Sequence, residues 1–318
     1  MGKNHLRLLK EIPSFNLIGV VEPNSQIAAQ NIDSETKVFN SLEDVDAEYS
    51  AVVIATPIPT HFDLSMKLLK MGKDLLIEKP LSPTKEECDQ ILEYAKEQKR
   101  IVAVGHSERH NPAFVTFCEE LEKIDLGKIF RYEFHRIGPY PFCPGDFGVV
   151  KDLAVHDFDL YFKLTKTIPK WIFSQKTSQF HPTHEDGLTL MSGYNNDDNE
   201  VLSLFNINWL SPRKQRFVRA YGEHGMLEVN LFERKVHFYE SKLRRNRPDD
   251  FGIHGIEYGE TKEIEVPEAE PLRNELEHFA NRIINDLLDN SEEYGSRFAV
   301  ALADEVVKVN GHKILEQL

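Results

Sequence analysis

The chain has 318 residues, with 38 Lys and Arg against 52 Asp and Glu, a formal net charge of −14, and 41% hydrophobic content. This acidic balance excludes a protein whose main task is wrapping nucleic acid or lying on anionic lipid, and no apolar run approaches the roughly 18 residues a bilayer crossing needs. Cys88, Cys118 and Cys143 lie far apart with no CxxC, so no disulfide framework or metal site is expected. The opening MGKNHLRLLKEIP lacks the apolar stretch of a secretory signal, and the expected setting is a reducing cytoplasm.

In chain order, Gly2 followed by Lys3–Lys10 reads as a glycine opening a helix. In a doubly wound dinucleotide fold that glycine would be the third of a Gly-rich turn following a central strand. The strand and the first two glycines do not precede it. The expectation is therefore that Met1 is an internal methionine and that the chain as it stands binds dinucleotide poorly. Asn16–Glu22 (NLIGVVE) reads as a buried strand ending in an acid, Ala51–Ala55 as a second, and Asp74–Ile77 and Ile101–Val104 as further ones. Between them Thr60–Met71 and Lys85–Gln98 carry apolar residues at helical spacing. Short β-branched runs separated by helices mean βαβ units and a parallel sheet.

Beyond residue 104 the pattern changes. Phe130–Ile137, Leu188–Tyr194, Val201–Trp209, Arg216–Tyr221 and Met226–Leu231 alternate, as strands of an antiparallel sheet with one half-wet face do. Asn195–Asn199 has hairpin-turn composition. Helices are expected over Ala113–Lys123, Pro271–Leu288 and Ser296–Glu316. The reading is two domains: 1–104, dinucleotide-binding, and 105–318, α+β with a large, mostly antiparallel open sheet that binds substrate and oligomerises.

Several motifs carry chemistry. Glu22, twenty residues after Gly2, stands where a carboxylate can bind ribose hydroxyls, although it could equally just end a strand. Ile54-Ala55-Thr56-Pro57 lies at a strand's carboxyl end, where ligands of α/β sheets sit; an ordinary βα turn would look the same. Glu78-Lys79-Pro80 follows an apolar strand directly. A lysine there can stabilise a developing alkoxide, but the tripeptide also suits a solvated turn. Asp152 and His156 are four apart, so on one helix they share a face, and a histidine beside a carboxylate is a sensible general base. A plain surface His–Asp pair fits that spacing too, and Asp157 and Asp159 fall elsewhere around the helix. His181-Pro-Thr-His184-Glu185 and the pair His106/His110 read as loop and turn, and Lys242–Arg247 as an exposed basic run.

The order of IATPxxxH, EKP, GHxxRxNP and DxxxHD, with the EPLRNELEHF stretch behind them, resembles the Gfo/Idh/MocA family of sugar oxidoreductases. The resemblance implies a Rossmann domain joined to an open-sheet domain, assembled into dimers or tetramers, that uses NAD or NADP to oxidise a secondary alcohol of a sugar or cyclitol. It implies that Gly2, Glu22, Ala55, Thr56, Pro57, His61, Glu78 and Lys79 contact the cofactor. Lys79 would also position the reacting hydroxyl, Asp152 would bind substrate and His156 would take its proton. A carboxylate at Glu22 favours NAD over NADP, since it would repel a 2′-phosphate. A narrower likeness, in HRIGPYP at His135–Pro141, GHSERHNPA at Gly105–Ala113 and DLAVHD, is to UDP-N-acetylglucosamine 3-dehydrogenases. Such an anionic substrate needs positive charge, which Arg109, Arg136, Arg213, Lys214 and Arg216 could supply, with Asn111 among the substrate contacts. The alternatives are an inositol or simple aldose dehydrogenase, or a sugar-binding remnant without a working dinucleotide site.

Overall fold

The computed structural model describes residues 1–142, 147–196, 199–244 and 255–315. They form two compact units, Met1–His106 with Leu272–Arg297, and Ser107–Pro271 with Phe298–Leu318. Sequence pattern alone assigns Leu272–Arg297 to the second domain, yet it packs with the first. An amphipathic stripe shows that a helix needs an apolar partner but not which one. Here Leu272, Leu276 and Phe279 share a core with Leu8, Ile12, Leu76, Ile101 and Ala103. Buried Arg282 completes the join by donating to the Val102 and Asp289 carbonyls at 3.0 and 2.8 Å and to Asn290 Oδ1 at 2.6 Å.

The first unit alternates helices and parallel strands, as the sequence indicates. In order they are α1 (Gly2–Glu11), β1 (Val20–Val21), α2 (Ser25–Asn31), β2 (Val38–Phe39), β3 (Ala51–Ile54), α3 (His61–Lys70), β4 (Asp74–Glu78), α4 (Lys85–Glu97) and β5 (Val102–Gly105). Strands β3, β4 and β5 pair in parallel in that order, and β1 pairs in parallel only with β2. Every residue of β4 and β5 is buried, whereas Ala51–Val53 of β3 are half-buried. The expected buried strand over Asn16–Glu22 is reduced to Val20–Val21, with Val21 exposed. Among the described residues β1 has a hydrogen-bonded neighbour on one side only, so its apolar run has no second strand to be buried against.

The second unit holds α5 (Pro112–Lys123), β6 (Ile129–Ile137), α6 (Val155–Thr165), β7 (Trp171–Thr177), β8 (Gly187–Asn196), β9 (Asn199–Asn208), β10 (Gln215–Gly222), β11 (Gly225–Asn230), β12 (Lys235–Arg244) and β13 (Gly255–Ile264). After α7 (Pro271–Ile284) of the first unit come α8 (Tyr294–Lys308) and β14 (Gly311–Ile314). The sheet runs β13-β12-β11-β10-β6-β9-β8-β7-β14, and every neighbouring pair is antiparallel except β6 with β9. The helix expected to continue to Glu316 stops at Lys308. Gly311, at φ 108°, turns the chain, and Gly311–Ile314 becomes an edge strand beside β7. The helix expected to reach Leu288 ends at Ile284, leaving Leu287 and Leu288 exposed. Strands β7, β12 and β13 come in addition to those read from alternation. Asp197 and Asp198 of the expected hairpin turn, and Arg245–Arg247 of the basic run, lie outside the described residues.

Alternation decides which side chains face the core. Tyr132, Phe134, Leu190, Phe205, Ile207, Val218 and Val229 point inward, meeting Phe114 and Phe117 of α5, Phe158 and Tyr161 of α6 and Phe298 of α8. Phe134 and Phe205 are register partners whose rings stack at 4.7 Å, with Phe158 edge-on to Phe205 at 5.3 Å. Phe205→Ala should therefore lower the free energy of unfolding by about 3–5 kcal/mol, measured by urea denaturation.

Candidate active site

Parallel strands as apolar as β3 and β4 can place reactive side chains only where they end, and in such sheets ligands lie at the carboxyl ends. Ala55, Thr56 and Pro57 follow β3, and a Cβ built on Gly2, the first residue of α1, would lie 4.0 Å from the Ala55 Cβ. Thr56 and Thr60 share a hydroxyl–hydroxyl hydrogen bond of 2.7 Å that closes this turn. His61 is a buried brace: its Nδ1 is 2.9 Å from the Pro80 carbonyl oxygen and its Nε2 is 3.0 Å from that of Thr56. The ring thus sits between the ends of β3 and β4, where its N–H can donate to one of these two carbonyl oxygens. Glu22 follows β1, where its backbone N–H donates to the Phe39 carbonyl at 2.9 Å and its Oε1 accepts the Asn24 N–H at 2.9 Å.

Glu78 ends β4 and is buried, with Oε1 2.7 Å from His5 Nε2 of α1. Its register partner is Gly105, and a Cβ there would lie 3.2 Å from both Glu78 Cα and Glu78 Oε2, so this carboxylate fits because β5 ends in glycine. Half-buried Lys79 comes next. Sequence reading did not single out His5. Its signal was a histidine on the apolar stripe of an otherwise basic helix, a position that calls for a buried partner. His5 Nδ1 is buried without a hydrogen-bond partner among the described residues. The residues present are compatible with a nicotinamide dinucleotide: Glu22 could accept from ribose hydroxyls, Glu78 and Lys79 would stand at the nicotinamide end, and the start of α1 at Gly2 could receive a phosphate.

In the second unit Asp152 and His156 do not lie on one continuous α-helix. Val150–Ala154 is a π-helical turn that becomes α6 at Val155, so their four-residue spacing crosses a change of helical pitch. Both remain half-exposed while Asp157 and Asp159 beside them are buried. The turn is held by the segment read as a solvated loop. The Glu185 carbonyl accepts the Val149 N–H at 2.9 Å and its Oε1 accepts the Val150 N–H at 3.2 Å, which caps the helix start with a carboxylate. A Cβ on Gly148 would collide with that carboxylate. The loop is itself pinned: Asp186 Oδ2 accepts the N–H groups of Gln179, Phe180 and His181 at 2.6–3.1 Å. His181 Nδ1 accepts those of Thr183 and His184 at 3.2 and 3.0 Å.

The basic residues expected to meet an anionic substrate divide sharply. Arg136 is buried and forks onto Asp157, Nε to Oδ2 at 2.6 Å and Nη2 to Oδ1 at 3.3 Å, and it reaches Glu108 Oε1 at 3.3 Å with Nη1. Arg109 is buried and paired bidentately with Asp159, its Nε 2.7 Å from Oδ2. Asn111 is buried too: its Oδ1 accepts the Ala113 N–H at 3.1 Å as the cap of α5, and its Nδ2 donates to Glu108 at 3.0 Å and to the Leu231 carbonyl at 3.2 Å. The structure places these three side chains, expected at the substrate, against carboxylates and backbone groups of the fold. The reason is desolvation, since a buried cation persists only with a carboxylate beside it. Arg213 is exposed, and Arg216 gives only Nη1 to Glu108, at 3.0 Å.

Burial works against the Glu108 carboxylate, but Arg136 and Arg216 beside it hold it below the ordinary carboxylate range. A carboxyl whose proton affinity is depressed by folding adds stability above its unfolded pKa, about 4.3 for Glu, and that stability is lost as pH falls through the folded value. Acidification below about pH 4 should thus destabilise the protein. Glu108→Gln should be less stable at pH 7 and should show a flatter stability profile between pH 5 and about pH 3, as read by thermal melting across that range.

Residues 1–106 match the family described as oxidoreductase family, NAD-binding Rossmann fold. Over 284 residues the chain is 25% identical to UDP-N-acetylglucosamine 3-dehydrogenase of Acidithiobacillus ferrooxidans, covering 89% of this chain and 85% of that one. It is 30% identical over 170 residues to scyllo-inositol 2-dehydrogenase (NAD(+)) of Bacillus subtilis, about half of each chain (50% and 49%). The solved structure of the Acidithiobacillus enzyme has the same fold, with a TM-score of 0.80 at 24% identity over 97% of this chain and 94% of that one. So does a 3-ketoreductase from Actinomadura kijaniata solved with TDP-benzene and NADP, with a TM-score of 0.77 at 14% identity over 96% and 92%. The matched Rossmann part, the large mostly antiparallel sheet and these likenesses make the chain similar to the Gfo/Idh/MocA oxidoreductases, and over most of its length to a UDP-N-acetylglucosamine 3-dehydrogenase.

Proposed function

We propose that this oxidoreductase oxidises a secondary hydroxyl of a sugar, that its substrate is UDP-N-acetylglucosamine and that the reacting position is C3. The observation that carries the chemistry is that each reactive side chain follows or precedes a buried, hydrogen-bonded carboxylate. His5 holds Glu78 immediately before Lys79, and Arg136 holds Asp157 immediately after His156. Groups anchored in this way keep their direction without help from substrate, which is the preorganisation that acid–base and electrostatic catalysis need. The substrate assignment is supported by similarity to the 3-dehydrogenase over most of both chains, whereas similarity to the inositol dehydrogenase is confined to half.

A bound nicotinamide dinucleotide supplies the hydride acceptor. The chain's own groups do the rest. His156 accepts the hydroxyl proton through a ring nitrogen as the C–H bond gives up its hydrogen with both electrons and the C–O bond becomes a carbonyl. The Lys79 ammonium stabilises the negative charge that builds on that oxygen. Asp152 accepts a hydrogen bond from a neighbouring sugar hydroxyl. Glu22 accepts hydrogen bonds from the adenosine ribose and favours NAD over NADP, because a 2′-phosphate would meet its charge. Self-association belongs to the same proposal. Outward-facing Phe173, Met191 and Leu204 occupy one register row of the nine-stranded sheet and stay partly exposed, and a second copy would cover them.

The test is NADH formation, followed by absorbance, with UDP-N-acetylglucosamine and with myo-inositol. Turnover with the sugar nucleotide is expected, and Lys79→Ala and His156→Ala should each lower kcat by roughly 10²–10⁴ with unchanged melting curves. Turnover with inositol alone would replace the substrate. Near-normal kcat in both variants would overturn the assigned roles, and binding of the sugar nucleotide without any turnover would make the chain a sugar-binding protein instead.

A further inference from the structure

Resting on the nucleotide-sugar reading above, we propose that Lys214, just before β10, and Arg216, near its start, form the subsite for the diphosphate of that substrate. Arg136 and Arg216 are register partners on β6 and β10, and one oxygen, Glu108 Oε1, serves both guanidinium groups. With Lys214 beside them, three cations face two carboxylates, Glu108 and Asp157, so the cluster keeps one positive charge in a chain whose net charge is −14. The ammonium of Lys214 is held below the usual lysine value, chiefly by Arg216, with burial and Arg136 adding to it. That is the signature of a cation in a positive field, and a bound anion would relieve it.

Both side chains retain donors. Arg216 uses Nη1 on Glu108, and its Nε and Nη2 make no hydrogen bond among the described residues. Lys214 Nζ makes none, and it stands 5.2 Å from the centroid of the Phe232 ring. Gly138 borders the lysine: a Cβ there would lie 3.8 Å from Lys214 Cγ. A planar guanidinium and a point ammonium side by side, both reachable by solvent, suit two linked phosphates. The cluster also adjoins the reacting groups through one residue, since Arg136 clamps Asp157, the neighbour of His156. Two of the arginines that sequence reading offered, Arg109 and Arg136, have their charge spent on Asp159 and Asp157.

The experiment is calorimetric titration of the full chain with UDP, inorganic pyrophosphate and NAD, on wild type and Lys214→Met, with Lys123→Met as a surface-lysine control. Lys214→Met loses no hydrogen bond, so its melting curve should match wild type. It should bind UDP roughly ten- to a hundredfold more weakly, with a shallower dependence on salt, and bind NAD as wild type does. With UDP-N-acetylglucosamine as substrate its KM should rise by a similar factor at nearly constant kcat. Equal UDP affinity in wild type and Lys214→Met would overturn the subsite and leave the nucleotide-sugar reading standing. Absence of UDP binding to wild type would also overturn it, and turnover of UDP-N-acetylglucosamine in the same preparation decides separately whether that reading survives. A loss confined to NAD would move Lys214 to the cofactor and overturn the assignment.

Discussion

A cation at an inward position of a β-strand has to be answered by the rest of the fold. In the strand Ile129–Ile137 the inward side chains are Tyr132, Phe134 and Arg136, and the guanidinium of Arg136 is as buried as the aromatic rings before it. Taking such a charge out of water costs several kcal/mol unless carboxylates surround it. Asp157 and Glu108 do so, and each belongs to a different segment, the first turn of the helix after the π-helical turn and the short turn before Asn111. One buried guanidinium therefore aligns a strand, a helix and a turn. Arg109 with Asp159, two residues further along the same helix, is a second buried pair of this kind. The consequence for function is positional, because His156 stands between Val155, in the core, and Asp157, in the ion pair.

The π-helical turn has a similar logic. An extra residue per turn is unfavourable in isolation, and here the first N–H groups of the helix are received by the carbonyl and carboxylate of Glu185, on a loop that Asp186 and His181 pin through its own backbone. The site side chains thus rest on a loop braced through its own backbone N–H groups by Asp186 Oδ2 and His181 Nδ1. In the first unit, His61 and the His5–Glu78 pair play the matching part, tying the ends of two parallel strands and a helix around Lys79. In both units the histidines and carboxylates divide into those that build the frame and those left half-exposed.

Much of this was legible from the residues. Uniformly apolar runs with helical spacing between them can be satisfied only by a parallel sheet covered by helices, and alternating runs only by a sheet with two unlike faces. The strand ends at Ala55–Pro57 and Glu78–Lys79 were visible as motifs for a related reason, and the Asp152/His156 pair through its four-residue spacing. Polar groups following an apolar run have nowhere to go but a strand end. Arg136 carried a signal too, since its phase in an alternating strand puts a charge on the apolar side.

By itself the sequence determined most of the elements and the two kinds of sheet, and it offered candidate side chains for the chemistry, because these follow from local periodicity and residue type. Only the tertiary structure decided which charges were spent. Arg109, Arg136 and Asn111 look identical in sequence to free polar groups, and carboxylates and a carbonyl remote in sequence, Asp159, Asp157 and that of Leu231, were brought against them. Likewise Leu272–Arg297 joined the first unit, and Gly311–Ile314 became a strand. An apolar stripe or a backbone edge specifies that it must be covered, while its partner is chosen by long-range packing that no local pattern contains.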